Sequence, residues 1–251
     1  MQLLLDIGNS AIKYCLYDGK QLLKVTRELY TEKSLDELLA KLNFNPEVTV
    51  AWISSVASDP VLFKVKQHLS SVCLCEIHEV SSQIEQNGIH NAYSDASQLG
   101  VDRWMALQAT KSLGLSAAII VSCGTAITVD LLNKQGQHQG GFISAGLGLQ
   151  LQSLRSTALP KIEQMNIDVI SNGFNLACDT ENAVISGTLY SIVSWIDRVV
   201  VESCNKNNNN IPRVITGGDA SLLLPYLSEQ TRWRHEPTLV LQGIATIAGG
   251  S

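Results

Sequence analysis

LLLDIGNSAIKY (residues 3–14) and IIVSCGTAITVD (residues 119–130) read as two versions of one motif. In each, an apolar strand runs into a turn of small residues and leaves it as a second strand. Laid over one another without a gap, three apolar residues align, Gly8 falls on Gly124, Asn9 on Thr125 and Ser10 on Ala126. Short matches arise by chance, so the weight lies in the segments that come after each copy. After the first, Asp18-Gly19 supplies a hairpin dipeptide and QLLKVTREL (21–29) a third strand. SLDELLAKL (34–42) then reads as a helix, with Ser34 and Glu37 in capping-box spacing. VTVAWISSV (48–56) is a buried strand by composition, and DPVLFKVKQHLS (59–70) a helix with Asp59 as N-cap and Pro60 at its first position. CLCEIHEV (73–80) completes the series as a strand on which Cys73 and Cys75 share one side. Three strands, helix, strand, helix, strand is a meander followed by βαβ units, which implies a mixed sheet whose later strands are parallel.

The order restarts near residue 117 with strand, turn and strand, and QHQGGFISAG (137–146) as the third strand. Helices follow at about 146–156 and from Thr180 to about Cys204, and RVITGGDA (213–220) reads as strand, glycine turn and helix start. NKNNNNIP (205–212) between them is a polar connector. The expectation is an α/β chain of two domains with one duplicated βββαβαβ architecture, residues 1–113 and 114–251, facing each other. The duplicated turn has a physical use. Without a Cβ, a glycine lets successive backbone N–H groups close around an anion, so two such turns can hold a polyphosphate.

Composition narrows the field. The 251 residues are 45% apolar and 16% charged, the balance of a globular chain. Net charge is −5, divided as −3 over residues 1–113 and −2 over residues 114–251, so neither half carries the basic footprint of a nucleic-acid binder. No run of consecutive apolar residues reaches membrane-spanning length, and MQLLLDIGNS lacks the basic start of a secretory signal. The expectation is a cytoplasmic protein with no membrane partner. Six scattered cysteines form no C-x-x-C pair and read as reduced thiols, and His68, His78, His90, His138 and His235 show no metal-ligand spacing.

DIGNSAIK (6–13), GVDR (100–103), SCGTAITVD (122–130) and TGGD (216–219) together resemble the type III pantothenate kinases, in order and spacing and over nearly the whole chain. GVDR, following Tyr93 by seven residues, is the most discriminating element; the turns are shared across the actin/hexokinase-like ATPase superfamily, and the absence of a Walker A motif from this chain fits that design. The resemblance implies two ribonuclease H-like domains across a nucleotide cleft, a homodimer, and phosphorylation of pantothenate by ATP with Mg²⁺. It assigns the first phosphate loop to Asp6, Ile7, Gly8, Asn9, Ser10, Ala11, Ile12 and Lys13, with Asp6 a magnesium ligand through water, and further ATP contacts to Gly124 and Thr125. It gives pantothenate to Tyr93, Gly100, Val101, Asp102, Arg103 and Thr180, the last from the facing subunit, and places Gly217, Gly218 and Asp219 near the adenosine.

Asp102 is the expected general base, because a carboxylate at hydrogen-bond distance can accept the proton of a primary hydroxyl. Its other reading is an acidic residue in the first turn of a helix, and Thr180 is also a plausible helix N-cap. One departure stands out. Where the family has an aspartate that binds an activating monovalent cation (K⁺ or NH4⁺), this chain has Ser122, so reduced K⁺ activation is expected. Two other readings compete: a superfamily kinase with another small hydroxylated substrate, and a non-catalytic regulatory or accessory homologue.

Overall fold

The computed structural model describes residues 1–42, 48–157, 176–206 and 211–249. The chain divides into two compact units. The first is Met1–Ser116 with Lys134–Gly140 and Thr238–Ser251; the second is Ala117–Asn133 with Gly141–Pro237.

The first unit holds β1 (Gln2–Ile7), β2 (Ala11–Tyr17), β3 (Leu22–Leu29), α1 (Leu35–Lys41), β4 (Val50–Ser55), α2 (Asp59–Val72) and β5 (Glu76–Glu79). A short hairpin, β6 (Glu85–Gln86) and β7 (Ile89–His90), and the helix α3 (Val101–Ser112) follow. The second holds β8 (Ala118–Cys123), β9 (Ala126–Leu132), β10 (His138–Ala145), α4 (Leu147–Thr157), α5 (Thr180–Lys206), β11 (Arg213–Thr216), α6 (Ala220–Leu223) and β12 (Trp233–His235), although β10 begins in the first unit. The last helix, α7 (Leu239–Ala248), returns to the first unit.

Strand order is the same in both five-stranded sheets: β3-β2-β1-β4-β5 and β10-β9-β8-β11-β12. In each the meander is antiparallel through the first two strands, and the first strand pairs in parallel with the strand after the helix, β1 with β4 and β8 with β11. The duplication thus holds at the level of topology. The gapless alignment does not. Ile7 pairs with Ile12 across the first turn, but Cys123 pairs with Ile127 across the second. The second turn is one residue shorter, so Asn9 and Ser10 together have Thr125 as their one counterpart, and Asp6↔Lys13 corresponds to Ser122↔Thr128.

Leu3, Leu5 and Ile7 of β1 and Ala51 and Ile53 of β4 face a core completed by Leu35, Leu38 and Leu39 of α1 and Val61, Val65 and Leu69 of α2. Side chains alternate along a strand, so Leu4, Asp6, Trp52 and Ser54 lie on the opposite face, against which α7 packs with α3 on top of it. Gly243 makes that crossing possible: a Cβ there would sit 1.9 Å from the Met105 carbonyl oxygen. In the second unit Ile119, Val121 and Cys123 of β8 meet Ile185, Leu189, Ile192, Val193 and Ile196 of α5. By length and mean hydropathy α5 is long and apolar enough to cross a membrane, but its apolar side is core, and 44% of its most apolar window is buried.

Local details shift as well. Ser34 is the N-cap of α1, but its side chain makes no cap bond; its hydroxyl accepts from the Thr31 N–H at 2.9 Å, so the capping box is absent. The N-cap of α2 is Ser58, one residue before Asp59. Cys73 caps the C-terminus of α2 and only Cys75 leads into β5, so the two do not share a strand. All six cysteines are free thiols. Part of the Asn-rich connector, residues 207–210, lies outside the described residues.

Candidate active site

In the first unit the turn after β1 closes through the Gly8 N–H donating to the Ala11 carbonyl at 2.9 Å. Tyr30 braces it: its hydroxyl donates to the Gly8 carbonyl at 2.5 Å and its N–H to the Ser10 carbonyl at 3.1 Å. Asn9 and Ser10 at the tip are exposed. Just below the tip, Asp6 stands opposite Lys13 across the β1–β2 ladder, and Lys13 opposite Arg27. The Asp6 carboxyl is pushed up to about 7, first by burial, with Lys13 opposing and the negative charge of Asp102 adding to the rise. Burial and Arg27 lower Lys13, against the pull of Asp6.

Asp102 therefore stands close enough to Asp6 for their charges to interact. It sits in the first turn of α3, partly exposed, with its carboxylate accepting from the Arg103 N–H at 2.8 Å. The N-cap of α3 is Gly100, and a Cβ there would lie 2.7 Å from the Asp102 carboxylate. Asp102 is thus both an acidic residue in the first turn of α3 and a partly exposed carboxylate.

Arg103 is buried and donates through Nη1 to the Tyr93 hydroxyl at 3.1 Å, its guanidinium 5.8 Å from the Tyr93 ring centre. His138, on the returning segment, stacks on Tyr93 with ring centres 6.2 Å apart and planes 10° from parallel. Sequence reading gave His138 no role, and nothing in its spacing could have; a long-range fold contact puts it there. The hairpin behind α3 was also missed, although Asn87-Gly88 is a recognised hairpin signal. Both residues take positive φ, and the hairpin holds α3 through Trp104 Nε1 donating to Gln86 and Asn87 Nδ2 donating to Gln108, at 3.1 and 3.0 Å.

The second unit repeats the turn. The Gly124 N–H donates to the Ala126 carbonyl at 3.0 Å and Thr125 is exposed at the tip. The TGGD segment lies against it: the Asp219 N–H donates to the Cys123 carbonyl at 3.0 Å, and Gly217, at φ +101°, would bring a Cβ within 2.1 Å of the same oxygen. Ser122 holds in this sheet the register position of Asp6 in the first, with Thr128 on one side and Thr216 on the other. Thr180 opens α5 and is exposed, and it is not the cap; Asp179 takes that role, its carboxylate accepting from the Asn182 N–H at 2.9 Å.

Among the described residues no three His, Cys, Asp or Glu side chains cluster as a metal cage. Magnesium asks for less: one or two carboxylates, with waters and substrate phosphates completing the shell. Asp6, whose proton affinity the charge of Asp102 raises, and Asp102 itself are two carboxylates that fit a divalent cation brought with a nucleotide. A row of hydroxyls at Ser122, Thr128 and Thr216 offers oxygen without charge to a monovalent one.

A family model described as type III pantothenate kinase matches residues 2–202. The chain belongs to the type III pantothenate kinase family. The type III pantothenate kinase of Nitrosococcus oceani is 33% identical over 255 residues, covering 99% of this chain and 94% of that one. That of Alcanivorax borkumensis is 29% identical, covering 99% and 98%. Among solved structures, a Campylobacter jejuni protein described as a Baf family transcriptional activator is similar with a TM-score of 0.58 at 20% identity, covering 98% and 96%. The activator of the 2-hydroxyisocaproyl-CoA dehydratase from Clostridium difficile, with bound ADPNP, has a TM-score of 0.52 at 11% identity, covering 99% and 94%. At these identities the structural likenesses show the shared fold of the actin/hexokinase-like ATPases alone. As a type III pantothenate kinase, the chain catalyses ATP-dependent phosphorylation of pantothenate, the first step of coenzyme A biosynthesis.

Proposed function

We propose that Asp102 is the general base of this reaction and that the β1–β2 turn, with Asp6 and Lys13, receives the ATP phosphates. The observation that carries the reading is the placing of Asp102 on the first turn of α3, partly open to solvent and within electrostatic reach of Asp6. Asp102 orients the primary hydroxyl of pantothenate and accepts its proton as the γ-phosphoryl group moves to the oxygen, giving 4′-phosphopantothenate and ADP. Lys13 offsets phosphate charge from its place in the ladder. Magnesium, when bound, spreads charge over the phosphate oxygens, and Asp6 is the carboxylate positioned to hold its waters.

Tyr93 and Arg103 form one rigid pair in our reading of the pantothenate site, with Gly100 and Val101 framing the N-terminus of α3. Arg103 is held in place before substrate arrives, so little side-chain entropy is lost on binding. Thr180, relieved of capping by Asp179, is available to contact pantothenate; in a homodimer it would serve the partner's site. Exposed apolar side chains on the edge strand β10 and on α4 and α5 (Phe142, Ile143, Leu149 and Tyr190) support an interface made by the second unit. In the second unit we assign nucleotide contacts to Thr125 and the Gly217–Asp219 turn. A cytoplasmic setting, where ATP is supplied, suits this reading.

The test is Asp102→Asn. Turnover, followed as ADP released on adding pantothenate, should fall about 100-fold or more, with the melting temperature and ATP affinity kept. Near-normal turnover in that variant would remove Asp102 from the role.

A further inference from the structure

Ser54 is fully buried, and its hydroxyl has no hydrogen-bond partner among the described residues. An orphaned buried hydroxyl is expensive, and alanine would fill the same space without that cost. Its neighbour Ser55 does find local work, accepting from the Ala57 N–H at 3.3 Å. The place of Ser54 is specific. In the parallel β1–β4 ladder it stands directly beside Asp6, so both side chains leave the same face, about one strand spacing (~4.8 Å) apart. Ala51 and Ile53 point the other way, into the apolar core. Ser54 therefore belongs to a polar row that crosses the sheet as Ser54, Asp6 and Lys13 at the phosphate end of β1. The second sheet repeats the arrangement. Thr216 of β11 stands beside Ser122 of β8, also buried, so a hydroxyl occupies the equivalent position in both copies of the fold.

We propose that Ser54 is a positioning residue of the nucleotide site: its hydroxyl donates a hydrogen bond to an anionic or metal-bound oxygen that arrives beside Asp6 with ATP. Two oxygens share that chemistry, a phosphate oxygen and a water of the magnesium shell. The proposal rests on the role given to Asp6 above. It accounts for a buried hydroxyl left without a partner among the described residues, because the partner comes with the ligand.

The experiment uses the full chain and Ser54→Ala. Melting temperature is measured without nucleotide, and the dissociation constant for ATP by calorimetry with and without Mg²⁺. The expected result is a melting temperature equal to or above that of the unaltered chain. Mg-ATP binding should weaken about tenfold or more, the size of a hydrogen bond to a charged group. KM for ATP should rise while KM for pantothenate stays in place. If the weakening persists without Mg²⁺, the partner is a phosphate oxygen; if it vanishes, the partner is a metal-bound water. Mg-ATP affinity within twofold of the unaltered chain would overturn the proposal. So would a variant that melts several degrees lower without nucleotide, since that would give the hydroxyl a structural partner such as a buried water. Failure of the unaltered chain to bind ATP would instead overturn the nucleotide assignment to Asp6.

Discussion

Replacing Gly243 with alanine tests how Asp102, the proposed base, is held. The new Cβ would lie 1.9 Å from the Met105 carbonyl oxygen and 2.5 Å from its carbon. An ordinary carbon–oxygen contact is about 3.3 Å, so α7 and α3 must part by about 1.4 Å. Neither side can yield by rotating a side chain, since both partners are backbone. Alanine favours the helix by about 1 kcal/mol over glycine, whereas overpacking a tight core costs about 3 kcal/mol at the upper end of its usual range. Overpacking wins, with a net loss of about 2 kcal/mol, or a melting temperature lower by roughly 4–8 °C. Turnover should suffer more than stability. Met105 is one turn from Asp102 on α3, and a displacement on the order of 1 Å at a reacting group can cost about 100-fold. The assay is thermal denaturation together with ADP release at saturating ATP and pantothenate. Gly148→Ala in α4, where a Cβ meets nothing within 4 Å, is the control and should melt no lower than the unaltered chain. A Gly243→Ala protein that melts within about 2 °C of the unaltered one, with unchanged turnover, would refute the claim that this crossing sets the position of Asp102.

Asp6→Asn should change the pH dependence of stability. The folded carboxyl loses its proton at about 7 rather than 3.8, so the folded state holds the extra proton between those values and stability falls as pH rises through them. The variant's stability should vary less from pH 4 to 7 and be higher at pH 8, by a free energy whose ceiling is about 4 kcal/mol and which loss of the Lys13 attraction reduces; a slope equal to that of the unaltered chain would contradict the raised proton affinity of Asp6. Turnover should respond weakly to K⁺, because the hydroxyls of Ser122, Thr128 and Thr216 carry no charge to hold the ion, and Ser122→Asp should introduce a K⁺ response; several-fold activation of the unaltered chain by K⁺ would count against this.

The succession of strands and helices along the chain, the two glycine turns and the helix that starts at GVDR were legible because they depend on local properties: alternation, turn chemistry and hydrophobic period. Boundaries failed where a neighbour competed for the same bond, as when Thr31 engaged Ser34, or Asp179 took the cap that Thr180 might have filled by type alone. The one-residue difference between the two turns was invisible to a gapless alignment because register is set by cross-strand pairing.

From its sequence alone the chain's family, its duplicated α/β plan and its candidate chemical groups could be read, since motif spacing and periodicity lie along the chain. Only the tertiary structure decided that Ser54 stands beside Asp6, that His138 stacks on Tyr93, and that Gly243 seats α7 against the helix carrying Asp102. These contacts join residues far apart in sequence. Strand pairing and close packing choose them, and no local propensity records them.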